Sequence, residues 1–154
     1  MFAAPPPSVI RALPAEHRAR LMETAREVSF PQGIRLFEEG GRADRFWIIR
    51  TGTVALDMRV PGRRAAVIER LGHNELVGWS WLFAPHIWHL GGEAETPVRA
   101  YEFDAASVDA LRRDDPALGQ AVAEWVGTVV ARRLHAARTR LLDLYAPYGA
   151  GTSL

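Results

Sequence analysis

The sequence predicts a mainly β protein with helices: an antiparallel jelly roll or β-roll (double-stranded β-helix) with a short N-terminal helix and a long C-terminal helix. Three observations lead to this fold class. The middle of the chain holds short runs rich in Val, Ile, Phe and Trp, separated by turn signals. The stretches on either side space their apolar residues as helices do. A length of 154 residues suits one domain with its own core.

The first predicted element is a short helix. Pro14 suits the first turn of a helix, and residues 15–28 place Leu21 and Val28 on one helical face. The prolines of the preceding residues favour a flexible start to the chain.

Six runs in the middle of the chain predict strands. They lie at residues 34–39, 45–52, 53–60, 64–71, 75–78 and 97–104. Short strands at close and even spacing, with glycine-rich turns between them, are typical of an antiparallel barrel or jelly roll.

Helical periodicity returns after Asp104. Residues 105–113 predict a short helix, which Asp115 and Pro116 interrupt. Residues 117–145 then continue without a proline and predict one long helix.

These elements divide the chain into three parts. We expect a flexible segment at residues 1–12, one domain at 13–145 and a tail at 146–154. Within the domain, the roll is expected at about 28–104 and the C-terminal helices at about 105–145.

Composition narrows the possible chemistry. The chain has no cysteine, which excludes disulfides, thiolate metal sites and iron–sulfur clusters. Its 19 basic residues are all arginine and are balanced by 18 acidic ones, so charge gives no general case for nucleic-acid binding. The sequence lacks a signal peptide and an unbroken membrane-length apolar run, so we expect a cytoplasmic protein without membrane contact.

One family resemblance covers most of the chain. Residues 30–56, with glycines at positions 33, 40 and 52, resemble the opening strands of the cyclic nucleotide-binding domain family, as in catabolite activator proteins and protein kinase A regulatory subunits. Residues 70–83 then fall where that family carries its phosphate-binding cassette. The resemblance implies a jelly-roll barrel, a regulatory role and a C-terminal helix that covers the pocket or pairs with a second copy.

The cassette departs from the family pattern. The resemblance implies a carboxylate directly after Gly78 and an arginine about ten residues later, which pairs with the cyclic phosphate. Trp79 stands at the carboxylate position, and Trp88 or His89 stands at the arginine position. We therefore expect a degenerate cassette that does not bind cyclic AMP in the usual way. Its candidate pocket residues are Val77, Gly78, Trp79, Ser80, Trp81, Leu82, Trp88 and His89.

Two interpretations of these tryptophans remain open. The three side chains could fill the space of a nucleotide, as aromatic residues often fill cores. They could also line a surviving pocket for cyclic nucleotide, heme or an aromatic ligand. The sequence gives no positive sign of a bound cofactor.

The histidines allow a weaker metal hypothesis. His86, His89 and Glu93 are weak candidate ligands and are similar in type to those of the cupins, which share a β-barrel architecture. Their spacing lacks the His-x-His pair of a cupin. A cupin-like metal-dependent enzyme is therefore a second alternative, while no metal site is the main expectation.

The remaining sequence favours a regulatory protein without catalysis. No nucleophile elbow, P-loop or zinc-protease motif is present. The chain shows no helix-turn-helix after Tyr145, so we expect no direct DNA binding. Partners are expected to be a small ligand, another protein or a second copy.

The long C-terminal helix predicts a homodimer. A helix of this length extends beyond a domain of this size and needs a second partner for its far half. The residues expected at the dimer contact are Leu118, Val122, Trp125, Val129, Leu134 and Leu141.

Overall fold

The computed structural model describes residues 12–145, and within them eight strands form two four-stranded antiparallel sheets. The strands are β1 (Arg26–Phe30), β2 (Arg35–Phe37), β3 (Arg45–Thr51), β4 (Val54–Met58), β5 (Ala66–Leu71), β6 (Leu76–Val77), β7 (Gly91–Ala94) and β8 (Val98–Asp104). One sheet has the order β1-β8-β3-β6 and the other the order β2-β7-β4-β5. This arrangement confirms the predicted antiparallel roll.

Three α-helices flank the roll in the described part of the chain. They are α1 (Ala15–Met22), α2 (Ala105–Asp114) and α3 (Pro116–Tyr145). The Asp104 carboxylate caps α2 by accepting a hydrogen bond from the Ser107 amide at 3.0 Å. None of these helices combines the length and the hydropathy that crossing a bilayer requires. The predicted flexible start and the predicted tail fall, apart from Ala12, outside the described residues.

The N-terminal helix is shorter than predicted. It ends at Met22, and Arg26–Phe30 is a strand instead, with Val28 opposite Ala100 of β8. The expectation of one helix over residues 15–28 was therefore wrong in its second half. An antiparallel partner strand outweighs a weak helical periodicity, because tertiary pairing overrides local propensity.

Strand β7 was absent from the sequence-based prediction because it begins with two glycines, which weaken a strand signal. The structure explains both of them by crowding. A Cβ on Gly92 would lie 2.6 Å from Phe37, and one on Gly91 would lie 2.5 Å from the Asp57 carboxylate. That carboxylate forms an ion pair with Arg35, which joins β2 to β4 beside β7 and raises the pKa of the guanidinium.

The core between the sheets includes a hydrogen-bonded polar pair, Trp47 and Glu102. Trp47 is 1% exposed, and its indole N–H donates to the Glu102 carboxylate at 2.9 Å. Arg26 donates to the same carboxylate at 3.0 Å. The buried indole and the buried charge thus satisfy each other, as buried polar groups must.

The first half of α3 packs on the domain itself. Its buried residues are Leu118, Gly119, Val122, Trp125, Val126 and Val129. Four of the six residues expected at a dimer contact therefore lie in the core of their own chain, which corrects that expectation. The remaining two are exposed, with Leu134 at 51% and Leu141 at 55%.

The physical reason is the helical register. Val129 and Leu134 are five residues apart, which at about 100° per residue turns the side chain roughly 140° away from the buried stripe. Leu134 and Leu141 are seven residues apart and return to nearly the same side. The apolar residues of α3 therefore form two faces, where the sequence interpretation assumed one.

Candidate ligand pocket between the roll and the C-terminal helix

The candidate pocket is built on the segment that follows β6, residues 76–90, here called the cassette segment. The strand ends at Val77, and Gly78 turns the chain with a φ of +92°. A single 3-10 turn, Ser80–Leu82, follows. Glycine is required at position 78 for two reasons. Its φ is left-handed, and a Cβ there would lie 2.7 Å from the ring of Trp88.

Trp88 occupies the inside of the pocket. Its side chain is 5% exposed and stacks on Phe37 at a centroid distance of 4.3 Å, with Trp47 behind it at 6.1 Å. The backbone of Trp88 is fixed as well. Its amide donates to the Gly41 carbonyl and its carbonyl accepts from the Gly40 amide, both at 2.8 Å. The indole is therefore held in place from the ring and from the main chain.

Little space remains around this indole. The cavity beside Trp88 has a volume of about 30 Å³. Its walls are Phe37, Leu56, Gly78, Trp79, Ser80, Trp88, His89, Leu90 and Arg133. A volume of this size holds about one or two water molecules. The described structure thus leaves no nucleotide-sized space at the cassette segment.

Trp79 lies at the mouth of the cavity. It is half-buried, and its ring meets Phe83 edge-on at 5.9 Å and His89 at 5.6 Å. Both neighbours are exposed. The position where the family pattern implies a ribose-binding carboxylate is therefore part of an aromatic cluster at the surface.

Trp81 belongs to a different part of the core. It stacks on Phe46 at 4.5 Å, and Phe46 stacks in turn on Phe103 at 4.6 Å. Val77, Trp81 and Leu82 do not line the cavity, whereas the other five predicted pocket residues do. The Trp81 indole N–H is buried and has no hydrogen-bond partner among the described residues.

Arg133 of α3 is the pocket residue that the sequence interpretation missed. Its side chain is 12% exposed and donates a hydrogen bond to the Leu76 carbonyl at the start of β6. The signal was present in the helical spacing. Arg133 follows Val129 by four residues and so falls on the buried face of α3, where an arginine is unusual.

The charge of Arg133 is only loosely balanced. The nearest carboxylate is that of Glu69 on β5, whose Oε2 is 3.9 Å from the Arg133 Nε. Burial lowers the pKa of the Arg133 guanidinium, and burial raises the pKa of the Glu69 carboxyl. Both shifts have the direction expected for charges withdrawn from water without a close partner.

Arg133 also lines a wider groove. It has a volume of about 650 Å³ and runs between α3 and the end of β5. Its walls are Glu69, Glu75, Thr128, Val129, Ala131, Arg132, Arg133, His135 and Ala136. Arg133 is therefore the residue that the open groove and the small cavity share.

The weak metal candidates do not come together. The His86 Nδ1 is 3.0 Å from the Trp81 carbonyl oxygen, and the His89 ring faces Trp79. Glu93 lies on β7 within 3.6 Å of Arg35. No group of three His, Asp or Glu side chains suited to a metal ion occurs among residues 12–145.

The fold agrees with the sequence comparison. The sequence pattern of the cyclic nucleotide-binding domain family matches residues 27–115, from β1 to the end of α2. The chain belongs to this family.

The relatives include transcription regulators. The chain is 30% identical over 126 residues to a CRP-like cAMP-activated global transcriptional regulator of Mycobacterium tuberculosis (strain H37Rv). The match covers 82% of this chain and 54% of that protein, so the chain spans about half the length of this curated relative.

Solved structures share the fold. The N-terminal domain of a transcriptional regulator from Streptomyces coelicolor is 29% identical, with a TM-score of 0.68 over 84% of this chain and 89% of that one. A cyclic nucleotide-binding domain from Methylobacillus flagellatus has a TM-score of 0.78 at 18% identity, over 87% of this chain and 79% of that one. The second likeness concerns the fold alone.

Proposed function

We propose that this chain is a non-enzymatic regulatory module whose cassette is closed by Trp88 and does not bind cyclic nucleotides in the usual way. The observation that carries the proposal is the filled pocket. A cavity of about 30 Å³ is far below the roughly 300–1,000 Å³ of an ordinary ligand site. The Trp88 indole fills the rest of the pocket. It is held by stacking on Phe37 and by two backbone hydrogen bonds of Trp88.

The chemistry of the cassette segment supports the same conclusion. The family pattern implies a carboxylate for the ribose and an arginine for the cyclic phosphate, and this chain has Trp79 and Trp88 or His89 at those positions. Arg133 reaches the cavity from α3, but the space beside it, about 30 Å³, is far smaller than a cyclic phosphodiester requires. A phosphodiester therefore has neither the cassette arginine of the family pattern nor room beside Arg133.

Calorimetric titration with cyclic AMP and cyclic GMP tests the proposal. We expect no binding heat at micromolar nucleotide, while the cAMP-activated regulator of M. tuberculosis serves as the positive control in the same buffer. Native mass spectrometry of the purified protein complements the titration, because it would detect a ligand that was carried through purification. An isotherm with one micromolar site per chain would contradict the closed cassette.

A homodimer through the far half of α3 is part of this proposal. The exposed apolar residues there are Leu134, Leu141, Leu142, Leu144 and Tyr145. Leu134, Leu141 and Tyr145 share one side of the helix, which faces away from the buried stripe. A second copy offers an identical surface, and a two-fold axis would bury both.

The module is proposed to act through its dimer, another protein or a small ligand rather than on DNA. Arg132, Arg138 and Arg140 are exposed on α3, where a solvated helix face is the commoner role for arginine. A second candidate function is a sensor of a small ligand other than a cyclic nucleotide. Arg133 favours this candidate, because a buried guanidinium beside a cavity is a ready partner for an anion.

A further inference from the structure

We propose that the cavity beside Trp88 is a binding site for a small carboxylate anion, held by Arg133 and Ser80. The inference rests on the closed cassette of the proposed function and goes beyond it by assigning a ligand class to the space that Trp88 leaves. Two polar side chains of the cavity wall carry it. They come from different elements, Ser80 from the 3-10 turn and Arg133 from α3.

The first observation is the Ser80 hydroxyl. Ser80 is 5% exposed and lines the cavity. Its oxygen is not one of the fully buried, unpartnered side-chain atoms of residues 12–145, so the hydroxyl can be reached by a small molecule in the cavity. A hydroxyl in this position can donate to an anion and accept from water.

The second observation concerns the N–H donors of the Arg133 guanidinium that make no hydrogen bond. A guanidinium carries five N–H donors, and in the described structure Arg133 uses one of them for a hydrogen bond, to the Leu76 carbonyl. Glu69 is its nearest carboxylate, and the 3.9 Å separation is longer than a hydrogen bond. A planar guanidinium binds carboxylates with two parallel hydrogen bonds, and this geometry remains available to a ligand.

The size and lining of the cavity select the ligand class. Phe37, Leu56 and Leu90 form apolar walls, which suit a short hydrocarbon group beside the charged end. The volume of about 30 Å³ holds one or two waters, so any anion requires the half-buried Trp79 to move outward at the mouth. A planar monoanion of acetate size needs the smallest movement and matches the single charge of Arg133, whereas a bulkier phosphate dianion would need more than one cation.

This movement provides the readout. Trp79 and Trp88 both line the cavity, so a ligand there should change the tryptophan emission. The test titrates the full chain with sodium acetate against sodium chloride at equal ionic strength, by fluorescence and by calorimetry. The best small ligands bind with a limited free energy per atom, so acetate cannot bind more tightly than tens of micromolar. We expect one saturable site per chain with a dissociation constant between that limit and several millimolar.

Variants assign the site to its two polar residues. Arg133→Gln should weaken acetate binding at least about tenfold, as expected when a charged hydrogen-bonding partner is removed. Ser80→Ala should weaken acetate binding severalfold. If circular dichroism shows that Arg133→Gln is unfolded, Ser80→Ala is the variant that tests the site. Arg132→Gln is the matched control, because Arg132 is exposed on the next position of α3 and does not line the cavity. It should bind acetate as the unaltered protein does.

The outcomes are distinguishable. The carboxylate site would be overturned if the unaltered protein gave no saturable response to acetate. It would also be overturned if Arg133→Gln and Ser80→Ala both bound acetate as tightly as the unaltered protein. A response to inorganic phosphate equal to that of acetate would overturn the ligand class. The proposed function fails on a different result, namely micromolar binding of a cyclic nucleotide, which does not depend on the acetate titration.

Discussion

Trp88 and Gly78 depend on each other. The indole can lie in the pocket only because position 78 has no side chain, since a Cβ there would lie 2.7 Å from the ring. The left-handed φ of Gly78 gives a second reason for glycine. A glycine that opens the cassette in the family pattern therefore serves here to accommodate the side chain that closes it.

Two tryptophan variants test which side chain fills the pocket. Trp88→Ala should lower the free energy of unfolding by about 3–5 kcal/mol, because it removes a buried ring and leaves a cavity. Trp79→Ala should cost less than about 2 kcal/mol, because Trp79 is half-buried at the mouth. Urea unfolding followed by circular dichroism measures both. Equal losses for the two variants would contradict the assignment of the filling role to Trp88.

The sequence predicts part of this pocket for a clear reason. Gly78, Trp79, Ser80, Trp88 and His89 are close in the chain, so a local pattern finds them together. Whether each tryptophan points inward or outward depends on the turns after β6, which no simple periodicity describes. The tryptophans accordingly take three different environments.

Residues contributed by distant elements are harder to predict. Arg133 is more than 40 positions from the cassette segment, and its side chain reaches the cavity from α3 while donating to the Leu76 carbonyl. Its place on the buried stripe was visible in the helical spacing, but the neighbour that it would meet was not. Tertiary packing alone supplies that information.

At the scale of elements, the sequence-based prediction failed where contacts between distant parts of the chain determine the secondary structure. Residues 26–28 carry a weak helical pattern, yet they form part of β1 because β8 pairs with them. Strand β7 has almost no apolar signal, and its glycines reflect close contacts with Phe37 and the Arg35–Asp57 pair. The strongly patterned elements, β3, β4, β8 and α3, lie where the sequence predicts them.

The glycines of α3 have different environments, which gives a prediction for the helix. The helix is continuous through Gly127, where an added Cβ would meet nothing within 4 Å. Gly127→Ala should therefore raise the free energy of unfolding by about 0.5–1 kcal/mol, because alanine loses less backbone entropy in a helix. Chemical unfolding at a fixed protein concentration measures the change.

Gly119→Ala is the control on the same helix. Gly119 is buried, and an added Cβ would lie 3.1 Å from the Arg112 carbonyl oxygen. This variant should lose stability, because the contact between α2 and α3 must open to admit the methyl group. A gain at both positions would mean that helix propensity alone governs α3, against the close packing of the two helices.

At the scale of the whole molecule, α3 has two different roles along its length. Its first half buries a stripe of residues that ends near Val129 in the core of the domain. Its second half exposes Leu134 and Leu141 on the other side of the helix, roughly opposite Arg132 and Asp143 and on the same side as Arg138. Exposed leucines spaced seven residues apart are typical of a helix that pairs with a second helix.

The homodimer gives the last prediction. Light scattering at tens of micromolar should give twice the chain mass of 17.1 kDa. Leu134→Glu and Leu141→Glu should each shift the mass towards the monomer, because each places a charge in the proposed apolar contact. Thr139→Glu is the matched control, since Thr139 is exposed on the same helix and lies about 140° from Leu134. It should remain a dimer. A monomer for the unaltered chain, or equal dissociation by all three variants, would contradict a contact through the leucine face, and retained circular dichroism would show that the fold is not the cause.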